Sequence, residues 1–217
     1  MLFRSSEKND PEDPDAWEAE IRKAGIGGAF VFSDGSLLKS GNVGGGAFVV
    51  DTDGREKEVE CGIGEVATLW DGEIAGMAEG LASLPRDGRK VLMLADSKAA
   101  ISAVKRAART GKARSRHLQK VVNTVAEIKE GGGEVKLGWV KAHMGILGNE
   151  AADILAKNAA ERVLPDDHEY STVGKAAEEG LFGGRRGCSY WQSNGMAAED
   201  GNELLPTARR KRYREVV

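Results

Sequence analysis

Cysteine is scarce: among 217 residues only Cys61 and Cys188 carry thiols. Two sulfurs so far apart supply neither a disulfide framework nor a cysteine-built zinc site, and they suit a reducing compartment. Long apolar runs are also missing. None approaches the roughly 18 residues of a membrane span, and the acidic N-terminus resembles neither a secretory nor a transit peptide. A soluble, intracellular protein without a membrane partner is expected. Nor is there an excess of positive charge, since 31 Lys+Arg face 34 Asp+Glu and the formal net charge is -3. Any nucleic-acid surface must therefore come from uneven placement of charge. What is present, 41% apolar and 30% charged residues, suffices for one compact domain of about 150 residues with flanking segments.

Three regions follow from composition. Residues 1–25 are rich in acids (Glu7, Asp10, Glu12, Asp13, Asp15, Glu18, Glu20) and include Pro11 and Pro14. They read as a flexible, solvated leader. Residues 26–163 sustain apolar periodicity and form the folded unit. Residues 164–217 are Gly-rich and end in Arg209, Arg210, Lys211, Arg212 and Arg214. That tail reads as flexible, with a short helix near Lys175 to Leu181.

Within the folded unit, Ala29 to Ser33 is apolar on both faces, as in a central strand, and ends at Asp34-Gly35. A glycine-rich turn over 41–46 leads to a strand from Ala47 to Val50. After the Asp53-Gly54 turn, Val59, Cys61 and Ile63 alternate as a third strand. The period then changes: Trp70, Ile74, Met77, Ala78 and Leu81 fall at helical spacing. Val91 to Ala95 is a short strand ending at Asp96-Ser97. Ala100, Ile101, Val104 and Ala108, then Leu118, Val121, Val122, Val125 and Ile128, mark two helices. Val135, Leu137 and Trp139 alternate as a fifth strand, and Ala151, Ile154, Leu155 and Ala159 form a last helix. The order βββαβααβα predicts an α/β fold, a five-stranded mixed sheet with helices packed on it.

Asp34 and Asp96 close strands, while Glu73 and Asp153 sit in the first turns of helices beside their apolar stripes. Taken singly, each is as well explained as a turn former or cap, and Asp71 as an N-cap or early helical residue. Turn chemistry does not require their joint placement on this scaffold. Four converging carboxylates repel one another unless divalent cations lie between them, and all-oxygen ligation suits Mg²⁺ or Mn²⁺. Two such ions about 4 Å apart activate a water and stabilise the leaving oxygen of a phosphodiester. His143 lies on a loop flanked by Gly145 and Gly148, where an imidazole can shuttle protons.

Ser33-Asp34-Gly35-Ser36, Asp71-Gly72-Glu73, Ala95-Asp96-Ser97, and Trp139-Val140-Lys141-Ala142-His143 followed by Asn149-Glu150-Ala151-Ala152-Asp153 resemble the motifs of the type 1 ribonuclease H family. The likeness runs from about Gly28 to Ala160. It implies a ribonuclease H-like fold and an endonuclease that cuts the RNA strand of RNA/DNA hybrids with two Mg²⁺ ions, Mn²⁺ substituting, leaving 5′-phosphate and 3′-hydroxyl ends. Carried over, Asp34, Glu73, Asp96 and Asp153 become metal ligands and catalytic residues, with His143 as the proton-transfer group. Ser36, Ser97 and Asn149 in the same motifs become nucleic-acid contacts, and Asn42 and Thr68 candidates for a phosphate-holding pocket. The segment Leu69 to Gly76 and the loop up to Asn149 resemble ribonuclease H domains of fungal non-LTR retrotransposons. The sequence departs from bacterial-type members at Thr68-Leu69-Trp70-Asp71, where they have Thr-Asn-Asn-Arg, and at Lys98, where a glutamine is frequent. Recognition of 2′-hydroxyls then falls to backbone groups and other side chains.

Between Ser97 and Lys120 lie Lys98, Lys105, Arg106, Arg109, Lys112, Arg114, Arg116 and Lys120, without one acid. A single-sign stripe of this kind neutralises phosphates and makes affinity fall steeply with salt. The expected partner is an RNA/DNA hybrid, the expected state a monomer, and the basic C-terminal cluster is compatible with nuclear import or a nonspecific nucleic-acid arm. Arg185 and Arg186 interleave with Tyr190 and Trp191 as in a patch that stacks on single strands, although a docked or disordered linker explains the segment better. Two alternatives stand beside the leading one: a catalytically weak or inactive nucleic-acid-binding module, and a nuclease for another structured nucleic acid.

Overall fold

The computed structural model describes residues 13–25, 27–64, 67–162 and the backbone of 190–191. The expectations for the Lys175–Leu181 helix, the basic cluster from Arg209, His168, Cys188 and the side chains of Tyr190 and Trp191 lie outside the described residues.

In chain order the elements are α1 (Pro14–Ala24), β1 (Gly28–Leu37), β2 (Val43–Val50), β3 (Glu56–Gly64), α2 (Leu69–Ala82), β4 (Lys90–Ala95), α3 (Lys98–Thr110), α4 (Arg116–Glu130), β5 (Glu134–Trp139), α5 (Leu147–Glu161) and β6 (Tyr190–Trp191). The strands lie in the order β5-β4-β1-β2-β3-β6. β1 pairs antiparallel with β2 and parallel with β4, and β5 extends the parallel side. The predicted five-stranded mixed sheet is thus present, with the two-residue β6 added on β3.

Strand alternation divides the core. Ala29 and Val31 of β1, with Val91, Met93 and Ala95 of β4, face α2, α3 and α4. Phe30, Phe32, Leu92 and Leu94 face the opposite way, toward α5 and α1. Both faces are buried, which is why these strands read as continuous apolar runs.

Two expectations change. The stretch read as a solvated leader includes an ordered helix. Asp13 caps α1 by accepting from the Ala16 N–H at 2.8 Å, Pro14 opens it, and Trp17 and Ile21, four residues apart, are fully buried. An isolated 11-residue helix is marginal in water. Burying these two side chains, about 1.5–3 kcal/mol each, holds it on the sheet.

The second change concerns the glycines read as a turn, which belong to β2. A Cβ at Gly46 would lie 2.3 Å from the Ala156 nitrogen of α5, and one at Gly45 would lie 2.6 Å from the Gly72 carbonyl oxygen of α2. Bare strand is what allows helices to pack closely on both faces of β2. A smaller shift concerns α3, whose stripe ends on buried Ala107, leaving Ala108 exposed.

Candidate active site

The site forms where β1 and β4 run side by side and α2 docks on them. β1 does not stop at Asp34 but continues to Leu37, so Asp34 is an interior strand residue opposite Gly46 of β2. Gly35 leaves room for the first turn of α2: a Cβ there would lie 2.5 Å from the Glu73 nitrogen. That close approach brings Glu73 beside Asp34. Asp96 follows β4 directly, and Ala95 pairs with Ser33. Asp34, Glu73 and Asp96 therefore meet, each offering a carboxylate oxygen within 4.8 Å of the others.

Their electrostatics are unfavourable as they stand. Asp34 is 7% exposed and Glu73 9%, and Glu73 Oε2 is buried without a hydrogen-bond partner. Burial, then the Asp96 charge, pushes Asp34 up to about 7, against the help of the Gly35 N–H donated at 2.7 Å. Burial and then the Asp34 and Asp96 charges push Glu73 up to about 9. Burial also raises Asp96, opposed chiefly by a hydrogen bond from the Asn149 side chain. Among the described residues, no lysine or arginine forms an ion pair with any of the three.

Asp153 belongs to a second group, with His143 and Glu150, whose potential ligand atoms likewise lie within 4.8 Å of one another. The Lys157 Nζ donates to Asp153 at 2.6 Å, and Glu150 accepts from the Gly145 N–H at 3.1 Å. The two groups feel each other: Asp153 adds to the repulsion on Asp34 and Asp96, and His143 stabilises ionised Asp96. His143 is exposed and left-handed, with φ 53°, on the loop between β5 and α5.

Several expected nucleic-acid contacts have internal duties. Thr68 caps α2 in a capping box with Asp71: its N–H and hydroxyl donate to Asp71 Oδ2 at 2.8 and 2.7 Å, and its hydroxyl accepts from the Asp71 N–H. Asp71 is thus the third residue of that helix, not its cap. Ser97 caps α3 by accepting from the Ala100 N–H at 3.2 Å. Asn149 is 3% exposed and turned to Asp96. Ser36 is buried in β1, and Asn42 is half-buried between β1 and β2. Polar side chains at element ends satisfy the free backbone groups there, so one sequence signal serves capping and binding alike.

Of the basic stripe, Lys98, Lys105, Arg106, Arg109, Lys112, Arg114 and Arg116 are exposed on α3, the following link and the start of α4. Lys120 instead donates to both carboxylate oxygens of buried Glu79, each at 2.6 Å. Trp70 packs against the larger core cluster. His117 is buried in α4, where burial and then Arg116 and Lys120 lower it to about 4.

Three further residues bear on the site. Glu150 stood inside the quoted motif but carried no assigned role, and Lys157, four residues after Asp153, had the helical ion-pair spacing that signals it. Trp139 alternates in a strand and heads a quoted motif, but its sequence position assigns it no role. Its Nε1–H donates to the Asp96 carbonyl at 2.8 Å, a cross-strand contact with no local signal.

The RNase H family model matches residues 28–161, more than half of the chain. The chain belongs to the RNase H family. It is 32% identical over 151 residues to a ribonuclease H of Nitratidesulfovibrio vulgaris, covering 63% of this chain and 92% of that one. A ribonuclease H of Tropheryma whipplei is 29% identical over 136 residues, covering 59% and 81%. The solution structure of the PFV RNase H domain superposes with a TM-score of 0.51 at 16% identity, over 65% of this chain and 99% of that one, a likeness of fold alone. The RNase H match contains all four aspartate and glutamate positions and His143, and leaves α1 outside.

Proposed function

We propose that this RNase H-family protein is a metal-dependent endonuclease that hydrolyses the RNA strand of RNA/DNA hybrids, leaving 5′-phosphate and 3′-hydroxyl ends. The observation that carries the reading is the meeting of Asp34, Glu73 and Asp96 from three elements, the first two buried and the third half-buried, with no lysine or arginine paired to them among the described residues. Such an arrangement costs stability unless something positive enters.

The donor set fits hard divalent cations such as Mg²⁺ or Mn²⁺, because every ligand of the inner group is a carboxylate oxygen and Glu73 Oε2 is buried with no hydrogen-bond partner among the described residues. Asp34, Glu73 and Asp96 would hold them, with Asp153 at the edge. Bound in a pair, such ions supply charge neutralisation and polarise the phosphodiester and the attacking water. The rest is work for this chain's own residues. Asn149 orients Asp96 by hydrogen bonding, and Trp139 holds the Asp96 backbone. His143, exposed beside both groups, takes the proton released by the attacking water or returns one to the departing 3′ oxygen. The exposed bases of α3 and the following link hold phosphates. The finer kinship with fungal non-LTR retrotransposon domains, drawn from Leu69 to Gly76, belongs to this proposal as well.

The test is cleavage of an end-labelled RNA/DNA hybrid beside matching double-stranded RNA and DNA, with Mg²⁺, Mn²⁺ or chelator. Cation-dependent cutting of only the hybrid's RNA strand is expected. Binding of the hybrid without cutting would make the protein a nucleic-acid-binding module, and cutting of another duplex would move its substrate class.

A further inference from the structure

α1 lies outside the matched RNase H segment, yet it touches the candidate site at two places. At the first, Trp17 meets Trp139 edge-on, with ring centroids 6.0 Å apart and planes at 76°. Trp139 is the residue whose indole donates to the Asp96 carbonyl, and Lys98 Nζ sits 4.3 Å over its ring centroid. At the second, Pro14 abuts the His143 loop: a Cβ at Gly145 would lie 3.2 Å from Pro14 Cγ. His143 at φ 53° is left-handed, a conformation that a non-glycine residue keeps only where the surroundings impose it, while Gly145 at φ 71° adopts the same region freely. Those surroundings are Glu150, bonded to the Gly145 N–H, the buried anchors Val140 and Ile146, and Pro14. Trp17, Val140 and Ile146 belong to one apolar cluster, so the helix and the two ends of the loop are packed as a unit.

We infer that α1 is a positioning brace for the active site, Pro14 steadying the His143 loop at Gly145 while Trp17 fixes Trp139 and, through it, the Asp96 backbone. The inference rests on the function proposed above for its kinetic consequence, though not for the contacts themselves. Covering the apolar sheet face alone would not need an aromatic ring at position 17. Nor is the indole N–H what is wanted, because Trp17 Nε1 is buried without a hydrogen-bond partner among the described residues. A phenyl ring should therefore do the same work.

The test compares full-length Trp17→Leu, Trp17→Phe and Ile21→Ala. Ile21 is buried on the same helix one turn further from Pro14 and makes neither contact, so while α1 stays docked its truncation reports loss of packing without loss of either contact. Two readouts are taken well below each variant's Tm: steady-state cleavage of a labelled hybrid with Mg²⁺, and amide hydrogen exchange over residues 141–149 without nucleic acid or metal. Trp17→Leu should lower kcat about ten-fold with KM within about two-fold, because small displacements of reacting groups cost rate and not affinity. Exchange at Gly145 should rise in parallel. Trp17→Phe should restore both, and Ile21→Ala should lower Tm while leaving kcat and loop exchange as in the wild type. Equal effects of Trp17→Leu and Ile21→Ala on kcat and exchange would overturn the brace. Should Trp17→Leu not fold, exposed Pro14→Ala must still raise Gly145 exchange, and no rise overturns it. If the wild type cuts no hybrid, the proposed function falls while the exchange comparison still decides the contact.

Discussion

Two neighbouring acidic groups are treated in opposite ways by this protein. The inner one, Asp34, Glu73 and Asp96, is largely buried and lacks a paired cation among the described residues. The outer one, His143, Glu150 and Asp153, is half-buried to exposed and each carboxylate already has a partner, Lys157 for Asp153 and the Gly145 N–H for Glu150. The inner group is strained by burial and mutual repulsion; the outer group is balanced and set in place by the chain. Under the proposed function, the difference separates a group suited to hold cations from a rim suited to move protons.

The largest expected effect comes from the inner group. Asp34→Asn keeps the side-chain shape, removes one ligand charge, and should depress cation-dependent cleavage by at least ~10²–10³-fold. Circular dichroism and hybrid binding should stay near wild type, and retained cleavage would erase the distinction between the groups. At the rim, His143→Ala should cost about a hundred-fold in kcat, since general acid–base help is of that order. Cation dependence measured by titration should remain unchanged.

A smaller effect concerns stability without metal. In the unfolded chain these carboxyls release their protons near pH 4, whereas in the fold Asp34 holds its proton to about 7 and Glu73 to about 9. Unfolding therefore releases protons in between, so the stability these groups contribute is full at low pH and falls as pH rises through that window. With chelator at pH 8, Glu73→Gln should melt higher than wild type by roughly 5 °C. With saturating Mg²⁺ the order should reverse; the same order with and without Mg²⁺ would mean that no cation relieves the cluster.

The smallest effect sharpens the boundary between the groups. Lys157→Met removes the partner of Asp153 and should tighten apparent Mg²⁺ affinity a few-fold, as expected for one partly exposed ion pair. Calorimetric titration of the metal measures it, and unchanged affinity would place Asp153 outside the cation's reach.

Much of this was legible along the chain. The β1 and β4 runs are apolar on both faces because both faces are covered, and helical spacing around Ile74 and Leu81 placed Glu73 near the buried side of α2. Asp34 and Asp96 were found from strand-to-turn changes, although β1 in fact runs three residues past Asp34. Gly44 to Gly46 misled, because glycine marks both a turn and a close helix approach, and only the packing of α2 and α5 tells which. Thr68 and Ser97 carry a double meaning for a related reason, a hydroxyl at a helix start serving as a cap as well as a candidate ligand.

By itself, then, the sequence determined the element order, the mixed sheet and the set of acidic positions, since periodicity and turn chemistry act over a few residues and can be read locally. The tertiary structure decided which acids share a site, which of them already have partners, and that Trp17 reaches Trp139 from a segment that reads as solvated. Those outcomes depend on long-range approach, burial and mutual repulsion, which arise only when distant segments are brought within a few ångströms.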